Sequence, residues 1–195
     1  MTKRAELTAL VVGAVVLAGC GSHAGSSAST PTARPTFKIS RAAAAHRGRP
    51  LSYAVYHHLV GAVDFDHENA ELARMTRGQR ALYALASVDG EIENGGFSQL
   101  FVNSTGSLTD EAVEGARLFG ARNYETLLRR AVRLFPERRV PEGFERRNRE
   151  LEGISEAALT RLDDAWFATY ERDPLDRYYE RYIRRHPSEF FRGET

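Results

Sequence analysis

The sequence predicts an all-α protein: a single compact domain of about six to eight helices, preceded by a signal peptide and a disordered linker. From Leu51 onward, apolar residues recur at three- and four-residue spacing, which is the period of an amphipathic helix. Helix-capping and helix-terminating residues separate these stretches. No run of four to eight residues shows the alternation and β-branched enrichment that are typical of a strand.

The first nineteen residues have the layout of a secretory signal peptide. Lys3 and Arg4 precede a mainly apolar segment from Leu7 to Leu17, and small residues follow up to Cys20, the only cysteine. The apolar segment is too short to span a bilayer as a permanent helix. We therefore expect residues 1–19 to be a removable signal peptide.

Leu17-Ala18-Gly19-Cys20 resembles a bacterial lipobox, in which the cysteine receives a diacylglyceryl group and becomes the first residue of the mature protein. The resemblance implies a membrane-lipid anchor at Cys20. The domain would then lie outside the cytoplasm, on the cell membrane or the outer membrane. A chance cysteine after an ordinary signal peptide is the alternative. A lipidated Cys20 leaves no thiol for a disulfide, a metal or catalysis.

Residues 20–49 are expected to be the lipidated cysteine and a flexible linker. This stretch is dominated by Ser, Ala, Gly, Thr and Pro and has no apolar period, so it predicts no core of its own. The helical domain is expected to occupy residues 50–195.

Charge argues against binding to nucleic acid. The chain has 27 basic and 26 acidic side chains, and removal of residues 1–19, which contain Lys3, Arg4 and Glu6, leaves 25 of each. A neutral domain lacks the positive field that a general nucleic-acid binder needs.

The predicted helices follow one another with few interruptions. The first carries Leu51, Val55, Leu59 and Val63. The second begins at Thr76 in a capping-box pattern. Its apolar face is Leu82, Leu85, Val88 and Ile92, and it ends at Asn94-Gly95. A short helix with Phe97, Leu100 and Phe101 comes next, closed by Asn103 and Gly106.

Four further segments complete the domain. One helix opens between Ser107 and Asp110 and stops at Gly120, and the next runs from Tyr124 to Phe135 before Pro136. An irregular arginine-rich loop is expected after it. Ser155 then caps a helix with Leu159, Leu162, Trp166 and Tyr170 on one face, and a last helix begins near Pro174 and ends before Pro187.

One polar corner interrupts this helical pattern. Asp89, Glu91 and Glu93 come just before Asn94-Gly95-Gly96-Phe97, and Gln99 and Asn103 follow it. Glycines allow the left-handed backbone that ends a helix. The corner predicts a sharp turn lined by carboxylates and amides.

The corner carries a family resemblance. The chain is similar to the bacterial helical family whose best-known member is a DNA-mimic protein. The motif residues are Glu91, Asn94, Gly95, Gly96, Phe97, Gln99, Phe101, Asn103 and Gly106. Gly120-Ala121, Leu162-Asp163-Asp164, Phe167, Tyr182-Ile183 and Pro187 continue the resemblance. It implies an all-helical domain that presents a surface to a partner protein, an acidic surface in the DNA mimic. Zero net charge and export both argue against DNA mimicry here.

Two candidate sites remain open at this stage. Asp89, Glu91, Glu93, Asp110, Glu111 and Glu114 form a locally acidic segment that could bind a basic partner surface. Alternatively, these side chains are solvated or complement helix N-termini. Glu91, Asn94, Gln99 and Asn103 could line a ligand-binding notch, or they could satisfy the backbone at the helix break.

No pattern predicts catalysis, a cofactor or a metal. His57, His58 and the Asp64–Glu68 segment hold possible metal ligands, but they lack the spacing of a zinc helix or a calcium loop. Ser98 is not in a nucleophile elbow. We therefore expect a lipid-anchored, non-catalytic module that binds another envelope protein. An envelope enzyme or small-ligand binder that uses the Glu91–Asn103 corner is the alternative.

Overall fold

The computed structural model describes residues 36–45 and 50–193, and this part of the chain is all-α. It contains ten helices, eight of them with seven or more residues. The helices are α1 (Arg41–Ala44), α2 (Leu51–Ala62), α3 (Glu68–Arg74), α4 (Arg77–Val102), α5 (Thr109–Phe119), α6 (Arg122–Val132), α7 (Phe144–Leu151), α8 (Glu156–Arg172), α9 (Asp176–Arg185) and α10 (Pro187–Phe190). Short 3-10 turns occupy Phe65–His67 and Ser104–Leu108.

Helix α4 is the central element, and α2, α5, α7, α8, α9 and α10 pack against it. Thr76 and Gln79 begin this helix with the predicted capping box, in which each side chain bonds the other residue's backbone N–H (3.2 and 3.0 Å). The predicted apolar face is fully buried at Leu82, Leu85 and Val88. The sequence pattern therefore identified the core helix and its inward face.

Other predicted boundaries are close to the observed ones. Gly120 ends α5 with φ of 77°, and the Ser155 hydroxyl caps α8 by accepting a hydrogen bond from the Ala158 N–H. Helix α5 begins at Thr109, after a 3-10 turn. Helix α9 begins at Asp176, two residues after Pro174.

The expected arginine-rich loop contains a helix, α7, so this prediction was wrong for residues 144–151. Its sequence lacks an apolar stripe, and its only buried side chain is Arg147. Two i,i+4 ion pairs support it instead: Arg146–Glu150 at 2.7 Å and Arg149–Glu145 at 3.8 Å. A pattern search for apolar spacing misses a helix whose inward residue is charged.

The linker expected to reach residue 49 is wrong for residues 36–45, which pack on the domain. Phe37 and Ile39 are buried, and Ile39 pairs with the C-terminal segment through its N–H to the Phe190 carbonyl (2.9 Å). The Arg192 N–H donates in turn to the Ile39 carbonyl (3.1 Å). Phe37 and Ile39 are buried without an apolar pattern around them in the sequence, because the tertiary fold supplies the surface that covers them.

The signal peptide, Cys20 and the linker up to residue 35 lie outside the described residues. Within residues 36–45 and 50–193, no helix has the length and apolar character needed to cross a bilayer.

Candidate functional site

The glycine corner is a break inside α4. Gly96 has φ of 75° and ψ of −173°, a backbone region that is essentially restricted to glycine. The Phe97 N–H, the first of the new helical segment, donates to the Asp163 carboxylate on α8 (2.8 Å). A Cβ on Gly96 would lie 2.6 Å from that carboxylate. Gly96 therefore turns the backbone and also leaves room for an acidic cap from another helix.

Glu91 joins the two halves of α4 across this break. Its carboxylate accepts hydrogen bonds from the side-chain amides of Gln99 (2.9 Å) and Asn103 (2.8 Å) and from the Thr105 hydroxyl (3.3 Å). Glu91 thus binds two other motif residues, Gln99 and Asn103. This arrangement gives them a structural role.

Arg147 closes the far end of the corner. Arg147 is 1% exposed. Its guanidinium donates to the carbonyls of Phe101 (2.9 Å) and Asn103 (2.8 Å) at the end of α4. It also donates to the carbonyls of Pro141 and Glu142 before α7. Carbonyls at a helix C-terminus have no partner within the helix. A Cβ on Gly106 would lie 2.7 Å from Arg147 Nε, so this motif glycine makes space for the arginine.

Asp89 lies inside the domain, so it cannot belong to a surface patch. It is 8% exposed, and its Oδ1 accepts a hydrogen bond from the Trp166 indole N–H (3.0 Å). Burial, and then the charge of Glu93, raises the pKa of Asp89 well above its ordinary value. Burial and the Asp176 carboxylate likewise raise the pKa of Glu93.

The six predicted acidic residues are therefore divided among three places. Asp89 and Glu93 face α8 and α9, and Glu91 is bound within the corner. Asp110, Glu111 and Glu114 remain together, in the first half of α5.

Residues from other elements extend this last group into an acidic surface. A concavity of about 690 Å³ is lined by Asp110 and Glu111 together with Asp66, Glu68 and Glu142. A second concavity, of about 350 Å³, shares Asp110 and Glu111 and adds Glu114, and Arg77 and Arg80 also line it. We call the six residues Asp66, Glu68, Asp110, Glu111, Glu114 and Glu142 the acidic surface.

Arginines only partly neutralise the acidic surface. Arg139 lies near Asp110 (3.9 Å) and pairs with Glu142, and Glu114 pairs with Arg117 and Arg129. These side chains are largely exposed to solvent, where such ion pairs contribute about 0–1 kcal/mol. The larger concavity has five carboxylates against one arginine and one histidine. It therefore presents a net negative wall.

An aromatic cleft of about 360 Å³ adjoins the acidic surface and shares Phe65 and Glu68 with it. Tyr56 and Tyr83 line the cleft, and the Tyr83 hydroxyl donates to Glu68 (2.6 Å). Glu91 and Asn94 of the motif also line it. Phe65 is 65% exposed at the junction of the two hollows.

Three histidines of the described residues have partners outside the corner. His58 Nε2 donates to the Thr36 carbonyl (2.9 Å), His57 packs on the Tyr53 ring, and His67 pairs with Asp64 (3.0 Å). Among residues 36–45 and 50–193, no group of three or more His, Cys, Asp or Glu is arranged to hold a metal ion.

Comparison with known families matches residues 73–186, more than half of the chain, to the family described as DMP19-like protein. The chain belongs to the DMP19-like family. The match contains the whole corner, from Glu91 to Gly106, and also Asp163 and Arg147. Comparisons with curated proteins and with solved structures found no match.

Sequence reasoning missed the tertiary partners of this DMP19-like domain. In the sequence, Asp163 carries only the family resemblance, because it lies 66 residues from the Phe97 N–H that it caps. Arg147 lies in a segment without an apolar stripe, which predicts a loop. Asp66 and Glu68 are candidate metal ligands by sequence, and only the fold places them beside α5.

Proposed function

We propose that this protein is a lipid-anchored, non-catalytic module that binds a basic protein of the cell envelope through its acidic surface. The observation that carries the proposal is the concavity of about 690 Å³ with five carboxylates on its walls. A negative wall accelerates encounter with a positive partner and favours one orientation.

The aromatic cleft supplies the complementary apolar contact. Interface energy is concentrated in a few aromatic and arginine contacts that exclude water. The exposed Phe65 offers such a contact, and Tyr56 and Tyr83 lie beside the carboxylates of Glu68 and Glu91. An arginine or lysine of the partner would be held there by the exposed Phe65 ring and by negative charge together.

The anchor part of the proposal rests on Leu17-Ala18-Gly19-Cys20. Replacement of Cys20 by Ser removes the thiol that would accept lipid. We expect the wild-type chain in the membrane fraction and the Cys20→Ser chain out of it after signal-peptide removal. Equal membrane retention of a processed Cys20→Ser chain would reject the anchor.

Crosslinking in intact cells, followed by recovery of the chain, tests partner binding. The test variant is Asp110→Arg/Glu111→Arg, and the matched control is Glu152→Arg/Glu171→Arg, which makes the same charge change at exposed positions away from the concavities. We expect the test variant to lose a partner that the wild type and the control retain. Circular dichroism and thermal melting would verify that both variants fold.

Equal recovery of partners by the two variants would refute the acidic surface as the binding site. The identity of the partner decides between two classes. A basic envelope protein supports the proposal, whereas a DNA-binding protein recovered through the same residues would assign DNA mimicry instead.

A second candidate function, binding of a small organic cation, is favoured by the aromatic cleft. Its volume of about 360 Å³ lies within the usual range of ligand sites. Calorimetric titration with small amines and guanidines, on the wild type and on Glu68→Gln, tests it. A saturable heat that Glu68→Gln abolishes supports a ligand site, and the absence of heat with every compound rejects it.

A further inference from the structure

The described chain begins at a fixed point on the domain surface. The Thr36 carbonyl accepts a hydrogen bond from His58 Nε2 (2.9 Å), and the Phe37 carbonyl accepts one from Gln79 Nε2 (3.1 Å). Two residues later, Ile39 pairs with the C-terminal segment. The chain that leads back to Cys20 therefore leaves the domain beside α2, the start of α4 and the C-terminus.

Basic side chains from several elements surround this exit. Arg192 Nε donates to the Lys38 carbonyl (2.8 Å), and the Arg74 guanidinium lies over the Phe37 ring (5.2 Å from its centroid). Arg41 lies over the Phe191 ring (4.6 Å). We call Lys38, Arg41, Arg74 and Arg192 the basic face.

Two carboxylates close to the basic face reduce its charge without cancelling it. Glu71 pairs with Arg74, and Glu189 accepts hydrogen bonds from the Gly78 N–H and the Tyr182 hydroxyl. Among the described residues, four basic and two acidic side chains leave a net charge of about +2. Arg77 and Arg80 line a concavity with the carboxylates of α5 and are not counted here.

We propose that the basic face rests on the anionic phospholipid headgroups of the membrane that carries the anchor. The inference rests on the proposed lipid anchor at Cys20. Only fifteen residues lie between Cys20 and Thr36, and a chain of that length reaches at most about 55 Å. The exit therefore stays near the bilayer, at a high effective concentration of headgroups.

The acyl anchor can be removed from the test of this contact. Every chain carries Cys20→Ser and is otherwise full length, and its sedimentation is measured with phosphatidylcholine vesicles and with vesicles that also contain phosphatidylglycerol. Binding to the neutral vesicles reports apolar insertion of the leader, and the leader residues Lys3 and Arg4 contribute equally to anionic binding in every chain. The excess binding to anionic vesicles reports the basic residues.

The test variant is Lys38→Gln/Arg41→Gln/Arg192→Gln. The control is Arg130→Gln/Arg133→Gln/Arg161→Gln, which removes three exposed positive charges elsewhere on the domain. Each basic residue near an anionic surface contributes about fivefold in partition coefficient. We expect the test variant to lose most of a roughly 25-fold anionic excess, and the control to retain it.

Equal losses in the two variants, or no anionic excess in the parent chain, would overturn the proposal. A loss confined to the control would assign lipid contact to the arginines of α6 and α8 and would also overturn it. Because the acylated cysteine is absent throughout, these outcomes are independent of the membrane-fraction test of the anchor and of the partner crosslinking. Melting curves of all three chains would exclude unfolding as the cause.

Discussion

Gly96→Ala is the sharpest test of the structural account of the corner. Alanine must adopt the φ of 75° and ψ of −173° that Gly96 has, in the middle of α4. Its methyl group would also lie 2.6 Å from the Asp163 carboxylate. The substitution therefore strains the backbone and displaces the acid that caps the Phe97 N–H.

The two effects have separate magnitudes. Holding alanine in a glycine-only region costs about 1–3 kcal/mol. Loss of the hydrogen bond from the Phe97 N–H to the Asp163 carboxylate costs about 1.5–3 kcal/mol, because the acceptor is charged. Together they predict a loss of about 3–6 kcal/mol in the free energy of unfolding, against a total of about 5–15 kcal/mol for a typical domain.

Urea denaturation followed by circular dichroism measures this loss, and α4 supplies a matched control. A Cβ on Gly90, six residues earlier in the same helix, meets no atom within 4 Å. Gly90→Ala is therefore expected to stabilise the domain by about 0.5–1 kcal/mol, since alanine favours helix. Gly→Ala is thus predicted to destabilise the domain at position 96 and to stabilise it at position 90.

A double-mutant cycle separates strain from the lost cap. In an Asp163→Ala background the carboxylate is gone, so Gly96→Ala should cost only the backbone strain of about 1–3 kcal/mol. If Gly96→Ala changes the wild-type stability by less than about 0.5 kcal/mol, the corner is not the rigid break described here, and the reasoning fails.

Three further predictions concern stability. Arg147→Met should cost more than about 3 kcal/mol in urea denaturation, because it leaves buried carbonyls unpaired; a loss below about 1 kcal/mol would contradict the cap. Phe37→Ala should cost about 3 kcal/mol by the same assay, whereas an unpacked linker predicts no change. Burial raises the pKa of Asp89 in the folded state. The contribution of Asp89 to the free energy of unfolding is therefore fully present below its unfolded pKa and is lost as pH rises through the folded pKa. Asp89→Asn keeps a hydrogen-bond acceptor for Trp166 but cannot ionise. The variant should therefore become more stable relative to the wild type from pH 4 towards pH 8, by at most about 1.4 kcal/mol per pH unit. A difference in stability that does not change with pH would refute the raised pKa of Asp89.

The helical fold was largely predictable because each helix is specified by residues near one another in the chain. Thr76 and Gln79 cap α4 three residues apart, and Gly120 ends α5 through its own backbone. The polar corner was also predicted as a turn. Its mechanism was not, since Asp163 is 66 residues away from the Phe97 N–H that it caps.

The candidate site was only partly predictable, because acidic residues that are close in sequence need not lie on the same surface of the domain. Asp89 and Glu93 share one helical face, but Asp89 is buried against α8, whereas Glu93 is exposed beside Asp176 of α9. Asp110 and Glu111 line the larger concavity. Asp66, from the 3-10 turn, and Glu68, from the start of α3, line it with them. Burial and neighbours from other elements decide which carboxylates a partner can meet.

The amino-acid order alone determined the all-helical class, the central helix with its inward face, and the glycine break at residues 95 and 96. These follow from local backbone preference and from apolar period, which act over a few residues. The packing of Phe37, the burial of Arg147 and Asp89, and the gathering of acidic and basic side chains into separate surfaces were decided by tertiary structure. Each of these depends on contacts between segments far apart in the chain, and such contacts form only when the helices have packed.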